Sequence, residues 1–267
     1  SGLVAGSLDV DDTAPQISSV KTRDIGDVSA GLTGTANDAE SPNDGTVDVL
    51  EVTFSEPIDD ATVDISDFST DGGETIDGIE TGQTSDDDTI LVGIEGASSG
   101  DTSVTPDIGY TKGTLADLAG NLLANNPDPS TTDGAAPAVT SADSADPDND
   151  GNVEQYDITL SESITDSTNS VSSTDDYFSL GTNSVDSVTT GASSDDANLR
   201  IIVDSDTTQS GAQAISGTDV TETLNVDGSS GTAIVDDDSN ANADDYALTT
   251  TDSAKPVLLS AVRQSGA

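Results

Sequence analysis

Two stretches of the chain, residues 44–59 and 150–165, follow the same order of residues and constrain the fold more than any other feature. Each begins with Asp-Gly, continues with largely alternating apolar and polar residues, and passes through Ser-Glu at its end. Such alternation after an Asp-Gly turn is typical of a half-buried β-strand and not of a helix. Two copies predict two similar domains. Their apolar residues are Val47, Val49, Val52 and Phe54 in the first copy and Val153, Tyr156, Ile158 and Leu160 in the second.

A second repeated pattern sets the length of the repeat. An acidic residue followed closely by proline and an apolar run occurs at Pro15, Pro137 and Pro256, which are 122 and 119 residues apart. A repeat of about 120 residues has the size of an immunoglobulin-like sandwich with enlarged loops. The predicted organisation is a terminal strand segment (1–11), domain 1 (12–132), domain 2 (133–251) and a second terminal strand segment (252–267).

The rest of the chain consists of short apolar runs separated by Gly, Asp and Ser clusters. No segment keeps a 3.6-residue apolar period, so the sequence predicts an all-β fold with two tandem immunoglobulin-like β-sandwich domains. The predicted strands lie near residues 16–22, 46–55, 75–80, 89–95 and 103–110 in domain 1, and near 138–143, 153–161, 185–190, 198–203, 218–226 and 245–250 in domain 2.

The order of several short motifs resembles a known class of repeat. Domain 1 contains Asp-x-x-Pro, Asp-Gly-x-Val, Phe-Ser-Glu-Pro (54–57), Asp67-Phe68 and Leu-x-Asp-x-Ala-Gly-Asn (115–121). Domain 2 keeps the opening strand, the Asp-Gly turn, Ser161-Glu162 and Tyr177-Phe178, whereas residues 234–240 only loosely echo the last motif. This order looks like the immunoglobulin-like repeats of large archaeal and bacterial surface proteins. The resemblance implies an extracellular, structural role.

The charge balance restricts the partners and the habitat. The chain has 52 Asp plus Glu against 6 Lys plus Arg, a formal net charge of −46 at pH 7. Such a surface repels nucleic acid. Because the Debye length falls to about 3 Å at roughly 1 M salt, self-repulsion is weak in molar salt. The even spread of acids through the loops favours a halophilic protein, with an acidic non-halophilic protein as the alternative.

The missing residue types argue against catalysis. The chain has no His and no Cys, which excludes disulfides and thiolate metal sites. Residues 96–100 match a nucleophile elbow formally, but that motif needs a following helix and a general base. Aromatic residues make up 3% of the chain and Trp is absent, so a sugar platform beside paired carboxylates is not expected. The sequence predicts a protein that is not an enzyme. It contains no run long enough to span a membrane, so any export signal or anchor is expected elsewhere.

One acidic loop, residues 146–157, has the pattern of a calcium site. Carboxylates alternate along it and glycine stands at the sixth position, as in calcium-binding loops that need several hard oxygens on a tight turn. Flanking helices are not predicted, so the expected form is a β-hairpin loop; the alternative is a solvated acidic loop without an ion. The equivalent loop of domain 1, residues 38–45, is less regular. The candidate ligands of Ca²⁺ are Asp146, Asp148, Asp150, Glu154 and Asp157.

Other recurring acids have simpler interpretations. Asp12, Asp133 and Asp252 precede the domain-opening prolines, where an ion could stiffen a linker, but aspartate is also a common turn residue. Glu56 and Glu162 end equivalent strands, where they could share an ion with a nearby loop, but protection of a sheet edge is the commoner use of such a charge.

Both ends of the chain carry strand-like segments. Residues 255–262 repeat the opening-strand pattern, and residues 3–10 resemble a closing strand. We expect head-to-tail donation of such a strand between subunits, which gives a filament and not a closed dimer. The alternative is a longer covalent tandem array. The predicted function is therefore an extracellular filament or surface-layer subunit of a halophilic archaeon, with an adhesin that recognises glycans or a cell surface, or a spacer of a larger protein, as alternatives.

Overall fold

The structure, a computed structural model, divides the chain into two compact units. Unit 1 comprises Ser1–Pro42, Val47–Ser98 and Val104–Gly134, and unit 2 comprises Asn43–Thr46, Ser99–Ser103 and Ala135–Ala267. The structure describes residues 11–26, 32–34, 42–82, 84–126, 129–166, 177–181, 185–203, 215–228, 234–241, 245–258 and 260.

Unit 1 has a six-stranded sheet in the order β2-β5-β6-β3-β1-β8 and a two-stranded sheet formed by β4 and β7. All pairs are antiparallel except β1 with β8. Two single-turn 3₁₀ helices, Asp60–Thr62 and Ile65–Asp67, precede β4. The strands are β1 (Ile17–Arg23), β2 (Thr33–Gly34), β3 (Val49–Phe54), β4 (Phe68–Thr70), β5 (Thr75–Thr81), β6 (Thr89–Glu95), β7 (Ile108–Tyr110) and β8 (Thr131–Thr132).

The core of unit 1 follows from the alternation in its central strands. Val20, Val52 and Ile90 lie in register on β1, β3 and β6, and all three are fully buried. Their β-branched side chains suit a pleated, packed surface. The smaller sheet adds an aromatic contact, because the rings of Phe68 and Tyr110 lie 5.2 Å apart.

Unit 2 has sheets in the orders β13-β14-β11-β9 and β12-β16-β17, and a short pair formed by β10 and β15. Every pair is antiparallel. The strands are β9 (Val139–Ala145), β10 (Asn152–Val153), β11 (Gln155–Leu160), β12 (Phe178–Leu180), β13 (Ser187–Thr189), β14 (Asn198–Ile202), β15 (Ile215–Ser216), β16 (Thr223–Asp227) and β17 (Asp245–Thr249).

The core of unit 2 is centred on β11. Ile158 faces Leu199 on β14 and Ala142 on β9, and all three side chains are buried. The residues between the buried positions of β11, Asp157 and Thr159, are exposed. This alternation is the one that the repeated sequence pattern predicts. A second anchor comes from β12, where Phe178 packs edge-on against the preceding Tyr177 with ring centroids 5.0 Å apart.

The all-β prediction is confirmed, and most predicted strands have counterparts within a few residues. The strand predicted at 103–110 is shorter, because only Ile108–Tyr110 pairs with β4. Lys255–Leu258 forms no strand, although its sequence has the opening-strand pattern. The N-terminal strand-like segment, residues 3–10, lies outside the described residues. The described part of the chain contains no helix of the length and apolarity needed to cross a membrane.

Candidate metal centre

The acidic loop of unit 2 is a tight turn that its own carboxylates organise. Asn149 and Gly151 adopt left-handed φ angles of 60° and 95°, which turn the chain between β9 and β10. The Asp146 carboxylate accepts hydrogen bonds from the backbone N–H of Asp150 (3.2 Å) and of Gly151 (2.9 Å). Asp148 Oδ1 accepts from the same Asp150 N–H at 3.0 Å. These side chains therefore point inward over the turn and not away from it.

Four of the five predicted ligands come together at this turn. Carboxylate oxygens of Asp146, Asp148, Asp150 and Glu154 all lie within 4.8 Å of one another. Asp148 is exposed, Asp146 and Asp150 are half-buried, and Glu154 is 4% exposed. The cluster is thus open to solvent on one side and closed by Glu154 on the other.

Glu154 is held by its backbone at the start of the inner strand β11, between the ends of β9 and β14. Its N–H donates to the Ala145 carbonyl (3.2 Å), and its carbonyl accepts from the Val203 N–H (2.8 Å). Its side-chain Oε2 atom is buried without a hydrogen-bond partner. Burial, followed by the charges of Asp146, Asp148 and Asp150, raises the pKa of the Glu154 carboxyl to about 7.

Asp157, the fifth predicted ligand, lies elsewhere. It is exposed on β11, and its Oδ1 atom accepts a hydrogen bond from Arg200 Nε at 2.7 Å. Side chains three positions apart on an extended chain point to opposite faces, which separates Asp157 from Glu154. The Asp157 carboxylate therefore pairs with a cation of its own chain.

The corresponding position in unit 1 has a different environment. Asp48 stands where Glu154 stands in the repeat, and it is 3% exposed. Its Oδ2 atom accepts a hydrogen bond from the Gly26 N–H at 2.9 Å. Residues 38 and 40 of the domain 1 loop lie outside the described residues, so the predicted lesser counterpart of the acidic loop stays a prediction.

A second acidic group lies in unit 1 around Glu56, for which the sequence left open an ion shared with a nearby loop; Asp11 and Asp117 were not among the candidate ligands. Carboxylate oxygens of Asp11, Glu56 and Asp117 lie within 4.8 Å of one another. Asp117 accepts hydrogen bonds at 2.8 Å from the N–H groups of Ala119 and Asn121 and from Asn121 Nδ2. Although desolvation opposes it, this bonding lowers the pKa of Asp117. Local turn formation accounts for Asp117, and its signal in the sequence is Asp-x-x-x-Asn.

Unit 2 builds the same turn from a sequence that only loosely resembles it. The Asp236 carboxylate accepts from the Asn240 N–H and from Asn240 Nδ2, both at 2.8 Å. Isolated bridges join Ile58 to Asp117 in unit 1 and Ile164 to Asp236 in unit 2. We call this arrangement the Asp-Asn turn; it occupies the same sequence position in both units.

The formal nucleophile elbow lacks the setting that its chemistry requires. Gly96 and Gly100 have φ angles of 90° and 77°, and Ser98 lies in the turn between them. No helix follows within the described residues 84–126. The Ser98 hydroxyl is therefore part of a glycine-rich turn after β6.

Comparisons with known proteins do not assign this chain to a family. No protein-family model matches the sequence. No curated protein matches it. A structure search finds a chain described as the N-terminal part of the bacterial S-layer protein SbsC, with 13% identity and a TM-score of 0.34. The match covers 90% of this chain and 45% of that one, so this chain spans less than half the length of its neighbour. A likeness at that TM-score carries no property of SbsC over to this chain.

Proposed function

We propose that this chain is a non-enzymatic structural module of the cell surface of a halophilic archaeon, built as two tandem immunoglobulin-like sandwiches that assemble into a filament or layer. The observation that carries the proposal is the repeated construction of the units. Each has a central strand from the same sequence pattern, and each has the Asp-Asn turn bridged to an isoleucine. Tandem copies of one fold are typical of proteins whose task is to span distance.

Head-to-tail assembly is supported by the C-terminal part of unit 2, after β17. The last strand of unit 1, β8, runs parallel to β1 and ends at Thr132. Seven residues later the chain has entered β9, the opening strand of unit 2, where Val139 is buried. In unit 2, Thr251 bridges β9 in the same parallel sense, and Leu258, seven residues later, is 82% exposed. An apolar segment with the opening-strand sequence, exposed to solvent, is suited to pairing with another sheet. We propose that residues 255–262 enter a sandwich of a neighbouring subunit, while Ser253 and Ala254 stay bound to Ser144 of their own chain.

Cations are part of the proposed function. A net charge of −46 opposes compaction in dilute solution, and molar salt reduces the repulsion between neighbouring carboxylates. Calcium at the acidic loop of unit 2 would neutralise charge at one place where four carboxylates meet. Together these effects would tie folding to the ionic conditions outside a halophilic cell.

The adhesin alternative needs an exposed aromatic surface, which the positions of the rings do not favour. The chain has seven aromatic residues, and all of them lie in the described part of the chain. Six are buried, and the half-buried Tyr246 accepts a hydrogen bond from the Val139 N–H at 2.7 Å. Aromatic side chains therefore stabilise the interior, and the structural function is the better supported one.

Sedimentation velocity and negative-stain electron microscopy in molar sodium chloride test the assembly. The intact chain should form polymers, and Leu258→Asp should prevent them because a charge in the donated strand cannot enter a sandwich core. Ile25→Asp is the matched control, since Ile25 is an exposed apolar residue (45%) outside that segment. Discrete monomers of the intact chain, or equal loss of assembly in both variants, would refute the head-to-tail proposal.

A further inference from the structure

We propose that Asp146, Asp148, Asp150 and Glu154 form a Ca²⁺ site in which Glu154 is the buried ligand that closes the coordination shell, and that Asp157 takes no part. The inference rests on the cation-dependent part of the proposed function and deepens it by assigning the role of Glu154, by excluding Asp157 and by setting the preference for Ca²⁺ over Mg²⁺. The four carboxylates come from one turn and one adjoining sheet position within unit 2.

The strongest argument is the condition of Glu154. Its side chain is only 4% exposed, and Oε2 has no hydrogen-bond partner although it lies among three other carboxylates. A buried charged oxygen without a donor is unfavourable, and like charges nearby make it more so. A cation placed among the four groups supplies the missing partner and reverses the sign of the local field.

The spacing of the oxygens fits calcium. Ca²⁺ binds six to eight oxygens at about 2.3–2.6 Å, so two oxygens on opposite sides of the ion are about 4.8 Å apart. The four carboxylate oxygens lie no more than 4.8 Å from one another, which is close enough for one ion to contact all of them. Carboxylates that are already drawn together need little rearrangement to bind it.

The donor set also favours Ca²⁺ over Mg²⁺. Mg²⁺ requires near-ideal octahedral geometry at shorter distances and retains several of its waters. Four carboxylates, of which one is buried, leave little room for the waters that Mg²⁺ retains. They also supply more negative charge than the one or two carboxylates that Mg²⁺ commonly binds. The exposed side of the cluster, at Asp148, leaves space for the waters that complete a Ca²⁺ shell.

The equivalent residue of unit 1 is a shorter acid with a backbone partner. Asp48, the counterpart of Glu154, has a side chain shorter by one methylene, and its Oδ2 atom is engaged by the Gly26 N–H. The longer side chain at position 154 instead extends to the turn aspartates. The described residues thus place one such four-carboxylate group in unit 2, and we infer one Ca²⁺ per chain at this site.

Isothermal titration of the chelator-treated full chain with CaCl₂ in molar sodium chloride tests the site. The parent should bind one Ca²⁺ at the loop and bind Mg²⁺ at least about tenfold more weakly. Glu154→Gln preserves shape but removes a charged ligand, and Asp148→Asn does so at an exposed position where folding is not at risk. Each should weaken Ca²⁺ binding by about tenfold or more and reduce the calcium-induced rise in Tm.

Asp157→Asn is the matched control, because it removes one carboxylate of the same sequence pattern that lies outside the cluster and pairs with Arg200. It should leave the calcium affinity unchanged. The inference is overturned if the parent binds no Ca²⁺, if Asp157→Asn weakens binding as much as Glu154→Gln does, or if Glu154→Gln binds like the parent. Polymer formation by the parent in the absence of calcium would leave the assembly proposal intact, so the two failures are distinguishable.

Discussion

Replacing Ile158 by alanine should destabilise unit 2 by about 3 kcal/mol. Ile158 is 1% exposed on the central strand β11 and faces Leu199 and Ala142 on either side. The change removes three buried carbon atoms, worth about 0.8 kcal/mol each, and leaves a cavity that adds to the loss. In a unit of this size that loss corresponds to roughly 10 °C in Tm.

Differential scanning calorimetry in molar sodium chloride measures the shift, and amide hydrogen exchange locates it in β9, β11 and β14. Thr159→Ala is the matched control, because Thr159 is the exposed neighbour of Ile158 on the same strand. It should change the free energy of unfolding by less than about 0.5 kcal/mol. Equal effects of the two substitutions would contradict the inward direction of Ile158 and with it the register of β11.

Two further predictions concern Arg23, the last residue of β1, and Gly134, whose carbonyl accepts a hydrogen bond from it. Arg23 donates through Nε and Nη2 to Glu51 and through Nη1 to the Gly134 carbonyl. Because Arg23→Gln removes these charged contacts, it should lower the free energy of unfolding by about 1–2 kcal/mol, as measured by urea denaturation. Arg200→Gln, at a more exposed pair, should cost less, and the reverse order would contradict the account. Gly134→Ala should cost about 1–3 kcal/mol in the same assay, because the added Cβ would lie 2.9 Å from the Thr22 carbonyl oxygen; a neutral result would show that this segment is more open than described.

The strands that carry the core were predictable because one face of each is buried. The predicted strand at 89–95 coincides with β6, and the one at 153–161 contains β11. In these strands the apolar period directly records which side faces the interior. The three-residue strands β4 and β12 were missed, because a run that short has no period to detect, although Asp67-Phe68 and Tyr177-Phe178 were recognised as motifs.

The Asp-Asn turn illustrates a limit of motif reading. Residues 234–240 share little with residues 115–121, yet both form the same hydrogen bonds. The geometry needs only an aspartate that accepts and an asparagine four residues later that donates, so the intervening residues are free to differ. The seven-residue motifs therefore differ more in sequence than the turns that they form differ in hydrogen bonding.

The acidic loop and four of its five candidate ligands were predictable from residue type and spacing, but the fifth, Asp157, lies away from the cluster. Counting positions selected Asp157, whereas the strand that begins at Gln155 places that side chain beside Arg200. The sequence also gave no sign that Glu154 is the buried member of the group, because burial depends on the backbone contacts to Ala145 and Val203. Those contacts join residues far apart in the chain.

Thermal unfolding of the intact chain, followed by far-UV circular dichroism in molar sodium chloride and in dilute chelating buffer, tests most directly the claim that this is a structural module built for high salt. With 46 net negative charges around thin β-sheet cores, we predict a cooperative transition in molar salt and a markedly lower or absent transition in dilute buffer. Calcium should restore part of the loss. A cooperative transition at the same temperature in both buffers would contradict the account.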